Sequence, residues 1–470
     1  MKKRRSFLLA FLLIAQFFFV GFPSVIAQSD TANSVAFEKA QDLAGKLSPE
    51  EKVGQLFLIT FQGGDVSEKS QVYDLIVNHY IGGVVLDREN NNFTGPENTI
   101  EEAWHLIHNL QDNVWQARGI NVSEKEGELT DNNYIPLFIG IAQEGDSVPY
   151  DQILNGLTKI PNQMAIGATF DTNISEEIGR ILGRELHALG INLILGPSLD
   201  VLDLTFNETG NNLGTRTFGG DPYWVGEMGK AYIKGIHEGS SNQVAAIAKY
   251  FPGRGSSDRL PSEGVATVRK SLEQLKLIEL APFFSVTDVN STESSELIDG
   301  LLLSHIRYQG FQGNIRATTK PISFDPSALD LLMNLQEFSD WREQGGVLVS
   351  DNLGSAAVRK FFDPAGKYFD ARQVAINAFL AGNDLLYVNN FISTGDTDSY
   401  VTLVKTLELF TQKYREDQAF SDRVDAAVIR ILALKFKIYK VFNLTRISPA
   451  YNMLRDCTKG RDEVFETARS

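Results

Sequence analysis

The sequence has only one cysteine, Cys457, so no disulfide bond can form within the chain. Its six histidines are scattered and do not show the spacing of a metal site such as H-E-x-x-H. We therefore expect no catalytic zinc and no other cofactor. Stability has to come from the core, and 470 residues with 43% hydrophobic side chains supply ample apolar material for one.

Positive charge is also in short supply, with 44 lysines and arginines against 59 aspartates and glutamates and a formal net charge of -15. Such a surface repels nucleic acid and anionic lipid head groups, so we expect no nucleic acid partner. Removal of an N-terminal leader that carries four basic residues would make the mature chain more negative still.

Long hydrophobic runs are scarce, and the one that stands out lies at the N-terminus. The basic residues 2–5 precede a mostly apolar stretch over residues 7–22, and a cleavage point follows Ala27. This pattern predicts a secretory signal peptide over residues 1–27 and an exported protein, either secreted or held in the cell envelope. Because the stretch is nearly long enough to span a bilayer, an uncleaved membrane anchor stays open as the alternative.

The rest of the chain divides into three parts by composition. Residues 28–36 are polar and predict a linker, residues 37–442 predict a single large domain, and residues 443–470 predict a polar tail or linker. A linker over residues 443–470 would connect the barrel to a C-terminal domain beyond this chain, which we name as a candidate partner.

Eight short apolar runs within residues 37–442 have the character of strands buried on both faces. These predicted strands are residues 55–60, 81–86, 136–142, 192–195, 244–249, 300–306, 346–350 and 384–388. Helix-like segments alternate with them. One covers 172–189, between Asp171 as its cap and Gly190 at its end; others cover 221–238, 271–280, 397–414 and 421–439.

Eight strands that alternate with helices predict the α/β class and a closed (β/α)₈ TIM-type barrel, for which roughly 250 residues suffice. A doubly wound open sheet is the alternative. It is less favoured because no G-x-G-x-x-G follows the first predicted strand.

The most informative segment is a predicted strand that ends on a carboxylate, in Ser350-Asp351-Asn352. The chemistry of a (β/α) barrel lies where its strands run into the following loops. There the Asp351 carboxylate can attack an electrophilic carbon. On this segment alone, a structural interpretation is equally open, in which Asp351 or Asn352 caps the next helix.

If the strands close, their carboxyl ends converge on one mouth, and the polar residues found there suit a polyhydroxylated ligand. They are Asp87, Gln143, Glu144, Asp200, Lys249, Tyr250, His305, Asp351, Asn389 and Asn390, with Arg216 from the loop after the fourth strand. A structural role is favoured for Asp200 and for His305, while Lys249 is as consistent with a buried ion pair as with ligand binding.

At this point the chain resembles a known family. Six motifs occur in order between residues 47 and 442. They are Leu47-Ser48-Pro49-Glu50-Glu51-Lys52-Val53-Gly54-Gln55, Pro197-Ser198-Leu199-Asp200-Val201, Arg216-Thr217-Phe218-Gly219-Gly220-Asp221-Pro222, Lys249-Tyr250-Phe251-Pro252-Gly253, Val349-Ser350-Asp351-Asn352-Leu353 and Ala381-Gly382-Asn383-Asp384. Together they resemble the N-terminal barrel of glycoside hydrolase family 3, on its β-N-acetylhexosaminidase side.

The resemblance implies a retaining mechanism, in which one carboxylate attacks the anomeric carbon and a second group protonates the leaving oxygen. Asp351 falls on the family's nucleophile position. Arg216 and Lys249 fall on positions that hold sugar hydroxyls, and we add Tyr250 and Glu144 to the predicted substrate-binding residues.

The chain departs from the family in the loop that carries its acid/base histidine. That loop reads Gly253-Arg254-Gly255-Ser256-Ser257-Asp258-Arg259-Leu260, with no histidine. Leu260 stands where the family's acid/base is usual, and Tyr250 and Arg254 replace two further histidines. Asp258 or a domain beyond this chain remains as a source of the proton.

A second departure follows the third strand, where the family often shows Asp-x-Glu-Gly-Gly. Here the sequence is Ala142-Gln143-Glu144-Gly145-Asp146, so one carboxylate is missing, and Ser147 and Tyr150 stand in place of arginines. We expect an exported glycoside hydrolase that cleaves β-linked sugars, N-acetylhexosaminides among them. The alternative is a catalytically impaired barrel that binds glycans or a protein partner.

Overall fold

The computed structural model describes residues 27–93, 95, 97–118, 134–202, 213–290 and 294–458, with side chains from residue 33 onward. Eight strands form one parallel sheet, in the spatial order Leu386–Val388, Phe57–Ile59, Gly83–Val85, Phe138–Ile141, Leu193–Ser198, Ala245–Phe251, Gly300–Leu303 and Val347–Ser350. The sheet closes on itself, because Val349 in the last of these strands bridges Leu385 in parallel, next to the first, and the Ser350 amide donates to the Leu385 carbonyl at 2.9 Å. The predicted (β/α)₈ barrel of the α/β class is confirmed.

All eight predicted strands are confirmed, with ends that differ by up to three residues. The barrel strands are β1 (Phe57–Ile59), β2 (Gly83–Val85), β3 (Phe138–Ile141), β4 (Leu193–Ser198), β5 (Ala245–Phe251), β7 (Gly300–Leu303), β9 (Val347–Ser350) and β10 (Leu386–Val388). Two further strands, β6 (Thr267–Val268) and β8 (Arg307–Tyr308), pair in parallel with each other in the loops after β5 and β7.

Helices cover the outside of the barrel. They are α1 (Ala27–Lys46), α2 (Pro49–Gln55), α3 (Gln71–Val77), α4 (Thr99–Ala117), α5 (Gln163–Gly167), α6 (Thr172–Leu189), α7 (Pro222–Gly239), α8 (Leu272–Leu277), α9 (Ala281–Thr287), α10 (Gln309–Gln312), α11 (Pro326–Met333), α12 (Gln336–Glu343), α13 (Ala356–Phe362), α14 (Ala371–Ala381), α15 (Ser399–Glu416), α16 (Gln418–Tyr439) and α17 (Leu444–Ile447). No helix among the described residues is long and apolar enough to cross a membrane.

The helix boundaries follow the capping residues of the sequence. Asp171 accepts a hydrogen bond from the Asn173 amide at the start of α6, and Gly190 ends that helix with φ 86°. One boundary was predicted wrongly. Residues 271–280 do not form one helix, because α8 ends at Leu277 and Pro282 lies in the first turn of α9, where proline fits without cost.

The predicted linker over residues 28–36 is wrong, because α1 covers this segment. Ala36, Ala40 and Ala44 are spaced by four residues, share one face of α1 and are buried. The Lys39 ammonium donates to the carbonyl of Lys440 just after α16, at 2.9 Å. The helix is therefore part of the packed domain. Residues 1–26 of the predicted leader lie outside the described part of the chain.

The predicted tail from residue 443 onward is also wrong as far as Thr458. After α17 a 3₁₀ helix follows (Tyr451–Thr458), and Ile447 and Cys457 are buried. The Trp104 indole donates to the Pro449 carbonyl at 3.1 Å, which holds the segment against α4. Residues 459–470 lie outside the described part.

Candidate active site

Every barrel-strand residue is buried except two, Lys249 in β5 and Tyr387 in β10. Parallel strands enclosed by helices leave no outer face in water, so a half-buried polar residue on such a strand lies near the barrel mouth. Of these two residues, the sequence predicts Lys249 as a site residue and gives no such indication for Tyr387.

Asp351 follows directly after β9 and is half-buried. Its amide donates to the Leu303 carbonyl at 3.0 Å, which ties the residue to the end of β7. Oδ1 accepts the amide of Asn352 at 2.7 Å. Within the described part of the chain, Oδ2 accepts no hydrogen bond, so this oxygen is available to a ligand.

The alternative of a helix cap at Asp351 or Asn352 is wrong. The N-cap of α13 is Ser355, whose hydroxyl accepts from the Val358 amide. The Asn352 side chain instead joins two loops, because its Oδ1 accepts the amides of Gly354 at 2.9 Å and Asn389 at 3.0 Å. Asp351 is thus held at the strand end without a capping role.

His305 is buried beside Asp351, and both of its ring nitrogens have partners. Nε2 lies 3.1 Å from the Asn352 carbonyl and Nδ1 lies 2.8 Å from the Ser323 hydroxyl. A carbonyl can only accept, so Nε2 carries the proton and Nδ1 accepts from Ser323. Burial lowers the pKa of His305, against the opposing charge of Asp351. His305 is therefore a neutral, satisfied residue that holds the Asp351-Asn352 peptide.

Tyr387 and Asp87 complete this side of the mouth. Burial raises the pKa of the Tyr387 phenol, and the negative charges of Asp87 and then Asp351 raise it further. The phenol therefore stays protonated and can donate a hydrogen bond. Asp87 itself caps a short 3₁₀ helix through Oδ1, which accepts the Glu89 amide at 2.8 Å.

A second group of site residues comes from strand β5 and from the loops after β3 and β4. The Lys249 ammonium donates to Oε1 of Glu144, and both side chains are largely buried. Burial opposes protonation of Lys249, but the Glu144 carboxylate outweighs it and raises the pKa of the ammonium. Lys249 therefore does form the ion pair that the sequence left open.

Arg216 belongs to the same group, held by two tyrosines. Its Nη1 donates to the Tyr250 hydroxyl at 2.7 Å, and its Nε donates to the Leu213 carbonyl at 3.2 Å. The guanidinium carbon lies 5.0 Å from the Tyr150 ring centroid and 5.7 Å from that of Tyr250. This stacking position, which the sequence did not reveal for Tyr150, fixes the plane of the guanidinium.

The loop after β3 that carries Glu144 is built around a neighbouring aspartate. Oδ1 of Asp151 accepts the amides of Glu144 at 3.0 Å and Gly145 at 2.8 Å, and Oδ2 accepts that of Ser147 at 2.9 Å. Ser147 and Tyr150 stand where the resemblance leads one to expect arginines. The Ser147 amide stabilises this turn through Asp151, and the Tyr150 ring contacts Arg216.

Asp200 is fully buried behind this group and has the structural role that was favoured for it. Its Oδ1 accepts the Arg254 amide at 2.5 Å, which anchors the loop after β5. Its Oδ2 has no partner among the described residues. Burial raises the pKa of Asp200 to about 7, although the Arg254 charge opposes this.

Asp258, considered as a proton donor, is engaged elsewhere. Its Oδ1 accepts the Thr267 amide at 2.9 Å and the Nε of Arg259 at 3.1 Å, and Arg269 lies 3.7 Å from Oδ2. Asn389 is held by the Asn352 side chain, and its Oδ1 accepts the Thr60 hydroxyl at 3.1 Å, while Asn390 is exposed.

The described contacts thus place seven of the predicted residues, together with Tyr387, in two groups. One comprises Asp351, His305, Tyr387 and Asp87, and the other comprises Glu144, Lys249, Tyr250 and Arg216. The first offers a carboxylate with an available oxygen; the second offers cations, a carboxylate and a phenol that can bind hydroxyls. In the chain as described, no cluster of three histidine, cysteine or acidic residues is placed to hold a metal ion.

The chain is similar to known proteins of one family. Residues 48–434 match the family model described as the glycosyl hydrolase family 3 N terminal domain. The chain is 23% identical over 263 residues to a beta-hexosaminidase of Hydrogenovibrio crunogenus, covering 55% of this chain and 66% of that protein. It is 24% identical over 379 residues to beta-hexosaminidase A of Pseudoalteromonas piscicida, covering 78% and 55%.

Among solved structures, the fold is similar to a glycoside hydrolase family 3 beta-N-acetylglucosaminidase from Paenibacillus sp. str. FPU-7. The TM-score is 0.65 at 26% identity, with 83% of this chain and 63% of that chain covered. The chain therefore spans just under two thirds, or less, of the length of these relatives. Because the family match covers most of the sequence in one barrel, the chain belongs to glycosyl hydrolase family 3, whose N-terminal domain it carries.

Proposed function

We propose that the protein is a glycoside hydrolase that cleaves β-linked sugars, N-acetylhexosaminides among them, with retention of configuration. The observation that carries this proposal is the Asp351 carboxylate at the end of β9, half-exposed and with Oδ2 accepting no hydrogen bond from the described residues. The relatives named as hexosaminidases support the substrate class.

In this proposal Asp351 is the nucleophile. Its Oδ2 attacks the anomeric carbon, the bond to the leaving oxygen breaks, and a glycosyl ester forms on Asp351. Water then attacks the same carbon and releases the sugar. His305 holds the backbone beside Asp351, and because its Nε2 proton is committed to the Asn352 carbonyl it is not the acid.

The second group of residues binds the sugar in this proposal. Lys249 and Arg216 donate hydrogen bonds to hydroxyl oxygens, and the Glu144 carboxylate accepts from hydroxyl protons. The Tyr250 hydroxyl accepts from Arg216 and keeps its own proton, since burial, and then the charge of Glu144, raise its pKa. It can therefore donate to a sugar or acetamido oxygen.

A second candidate function is a barrel that binds glycans or a protein partner with impaired catalysis. The observation that favours it concerns Asp258, the candidate proton donor in a loop without histidine. Its carboxylate contacts a backbone amide and two arginines and is therefore engaged in the fold. Leucine at position 260 has no proton to give, and arginine does not release its own at neutral pH. Loss of proton transfer typically costs about 10²–10⁴-fold in rate.

We also propose that the protein is exported, to the medium or the cell envelope, on the strength of the basic and apolar N-terminal sequence. A further domain that supplies the missing proton donor remains part of the proposal, since the match covers only 55% of the beta-hexosaminidase A of Pseudoalteromonas piscicida, which is longer than this chain.

A panel of aryl β-glycosides with good leaving groups tests the proposal on the wild type and on Asp351→Asn. Such leaving groups need little protonation, so the assay does not depend on the missing acid. Release of the aryl group by the wild type, with Asp351→Asn at background, supports the hydrolase. Calorimetric binding of N-acetylglucosamine oligomers without any turnover supports the glycan-binding barrel instead.

A further inference from the structure

Three aromatic side chains form an exposed cluster on the barrel surface, which we call the aromatic platform: Phe170, Tyr223 and Trp224. The ring centroids of Phe170 and Trp224 are 5.2 Å apart, and those of Tyr223 and Trp224 are 5.6 Å apart, both edge to face. Phe170 is 59% exposed and Tyr223 is 66% exposed. Single exposed aromatics are ordinary, but here Phe170 and Tyr223 both contact the half-buried Trp224, and the three rings form an apolar patch.

The fold does not explain this cluster. Phe170 adopts a left-handed backbone with φ 52°, which is unfavourable for a residue with a side chain, and its ring is turned to solvent. Tyr223 and Trp224 lie in the first turn of α7, where the Asp221 cap supplies the local stability. Backbone strain and exposed apolar surface that make no stabilising contact within the fold are typical of a binding surface.

The platform lies on the mouth side of the barrel, next to the group that contains Arg216. Helix α7 starts six residues after Arg216, and helix N-termini of a (β/α) barrel lie at the same end as the carboxyl ends of the strands. Phe170 follows α5, and the Met164 amide of α5 donates to the Thr215 carbonyl at 3.1 Å. The same loop is anchored to β4 by the Leu202 amide, which donates to the Gly219 carbonyl at 2.9 Å.

We propose that the aromatic platform binds a β-linked polysaccharide chain and leads it toward the mouth beside Arg216. A pyranose ring has an apolar C–H face that stacks on an aromatic ring and polar edges that stay in water, which suits amphipathic rings such as Tyr223 and Trp224. The negative net charge of the chain favours an uncharged polymer over an acidic one. This inference rests on the proposed activity on β-linked sugars.

The test uses the mature chain and colloidal chitin, an uncharged β-linked polymer of N-acetylglucosamine. The double variant Phe170→Ala/Tyr223→Ala removes the two exposed rings, and depletion from solution measures binding. We expect binding about tenfold weaker than that of the wild type. The control is Leu277→Ala, which removes an apolar side chain that is 73% exposed on α8 and should bind as the wild type does.

Circular dichroism and thermal unfolding check that the double variant folds, and Trp224→Phe, which keeps a ring, should retain most of the binding. Chitin binding by the double variant at wild-type strength, or no binding by the wild type, would overturn the platform. Aryl glycoside hydrolysis is measured in parallel. If chitin binding depends on the platform but no aryl glycoside is hydrolysed, the platform is supported and the proposed catalysis is contradicted. If aryl glycosides are hydrolysed but chitin binding does not depend on the platform, the catalysis is supported and the platform is contradicted.

Discussion

Nη1 of Arg216 donates a hydrogen bond to the Tyr250 hydroxyl at 2.7 Å, across 34 residues of sequence. Tyr250 has a left-handed backbone with φ 67°, so the strand end is bent where its ring meets the guanidinium. The contact places a cation, already oriented by Tyr150, within the proposed sugar-binding group.

This relationship predicts that Arg216→Lys weakens substrate binding. Lysine keeps the charge but loses the planar fork and the stacking between Tyr150 and Tyr250. We expect KM for an aryl β-glycoside to rise about tenfold with a smaller change in kcat, since a bond to a charged group contributes about 1.5–3 kcal/mol. Steady-state kinetics check this, and unchanged KM would show that Arg216 does not touch the sugar.

His305 is predicted to act as a positioning residue for Asp351. Replacing it with alanine frees the Asn352 carbonyl and lets the adjoining carboxylate shift. We expect kcat to fall about 10²-fold with KM nearly unchanged, as for a misplacement of about 1 Å. Ser323→Ala, which removes the partner of Nδ1, should shift kcat in the same direction but less. Equal losses in kcat and in binding would contradict a positioning role.

Asp200 is predicted to make the stability of the fold depend on pH. Its pKa in the folded protein is about 7 against an ordinary value of 3.8, so the folded state retains a proton that the unfolded state loses. The contribution of this carboxyl is fully present below the ordinary pKa and is lost as pH rises through about 7. Each unit of the difference corresponds to about 1.4 kcal/mol.

The variant Asp200→Asn should remove this pH dependence, because an amide oxygen still accepts the Arg254 amide without titrating. The free energy of unfolding of the wild type and of the variant is measured by urea unfolding between pH 3.8 and about 7, the two pKa values of Asp200. The difference between the two proteins at each pH gives the contribution of this carboxyl. A wild-type curve with the same pH slope as that of the variant would show that Asp200 does not hold its proton.

Asp384 is predicted to be the most important single charge for stability at the base of the barrel. Three arginines converge on it: Arg342 at 2.5 Å, Arg423 at 3.2 Å and Arg430 at 3.6 Å. Burial works against ionisation of Asp384, but the arginines outweigh it and hold the pKa of this carboxyl well below its ordinary value. Asp384 is therefore charged at neutral pH.

Asp384→Asn should lower the free energy of unfolding by about 3 kcal/mol, because it removes the charge of a fully buried carboxylate and leaves three half-buried arginines without their common partner. Asp330→Asn is the matched control, since Asp330 is exposed in the same surface groove of about 600 Å³ and should cost little. Urea unfolding measures both. A small effect of Asp384→Asn would mean that water reaches the arginines.

The barrel could be predicted from the sequence because its strands are buried on both faces, which produces apolar runs at regular intervals. The shorter strands β6 and β8 could not, since two residues such as Thr267 and Val268 carry no periodic pattern. The α1 helix was missed because residues 28–36 are mostly polar in sequence, although the alanines at positions 36, 40 and 44 carried the signal.

The site was only partly predictable for a different reason. Asp351 and Lys249 lie at strand ends, where the pattern itself marks them. Tyr150 and Tyr387 are defined by contacts with residues distant in sequence, and a single tyrosine in a loop or strand looks like any other. The one indication in the sequence was that Tyr387 lies near the end of the last predicted strand, three residues before Asn390. A polar residue at that end of a strand is a candidate for the barrel mouth.

The most direct test of the account is to trap the covalent intermediate on Asp351. The mature protein is incubated with a fluoro-sugar that has an activated leaving group, and intact-mass and peptide mass spectrometry locate any adduct. We predict one glycosyl group on the peptide that contains Asp351, and none on Asp351→Asn. A wild-type protein that hydrolyses aryl glycosides but carries no adduct, or carries it on another residue, would contradict the proposed nucleophile.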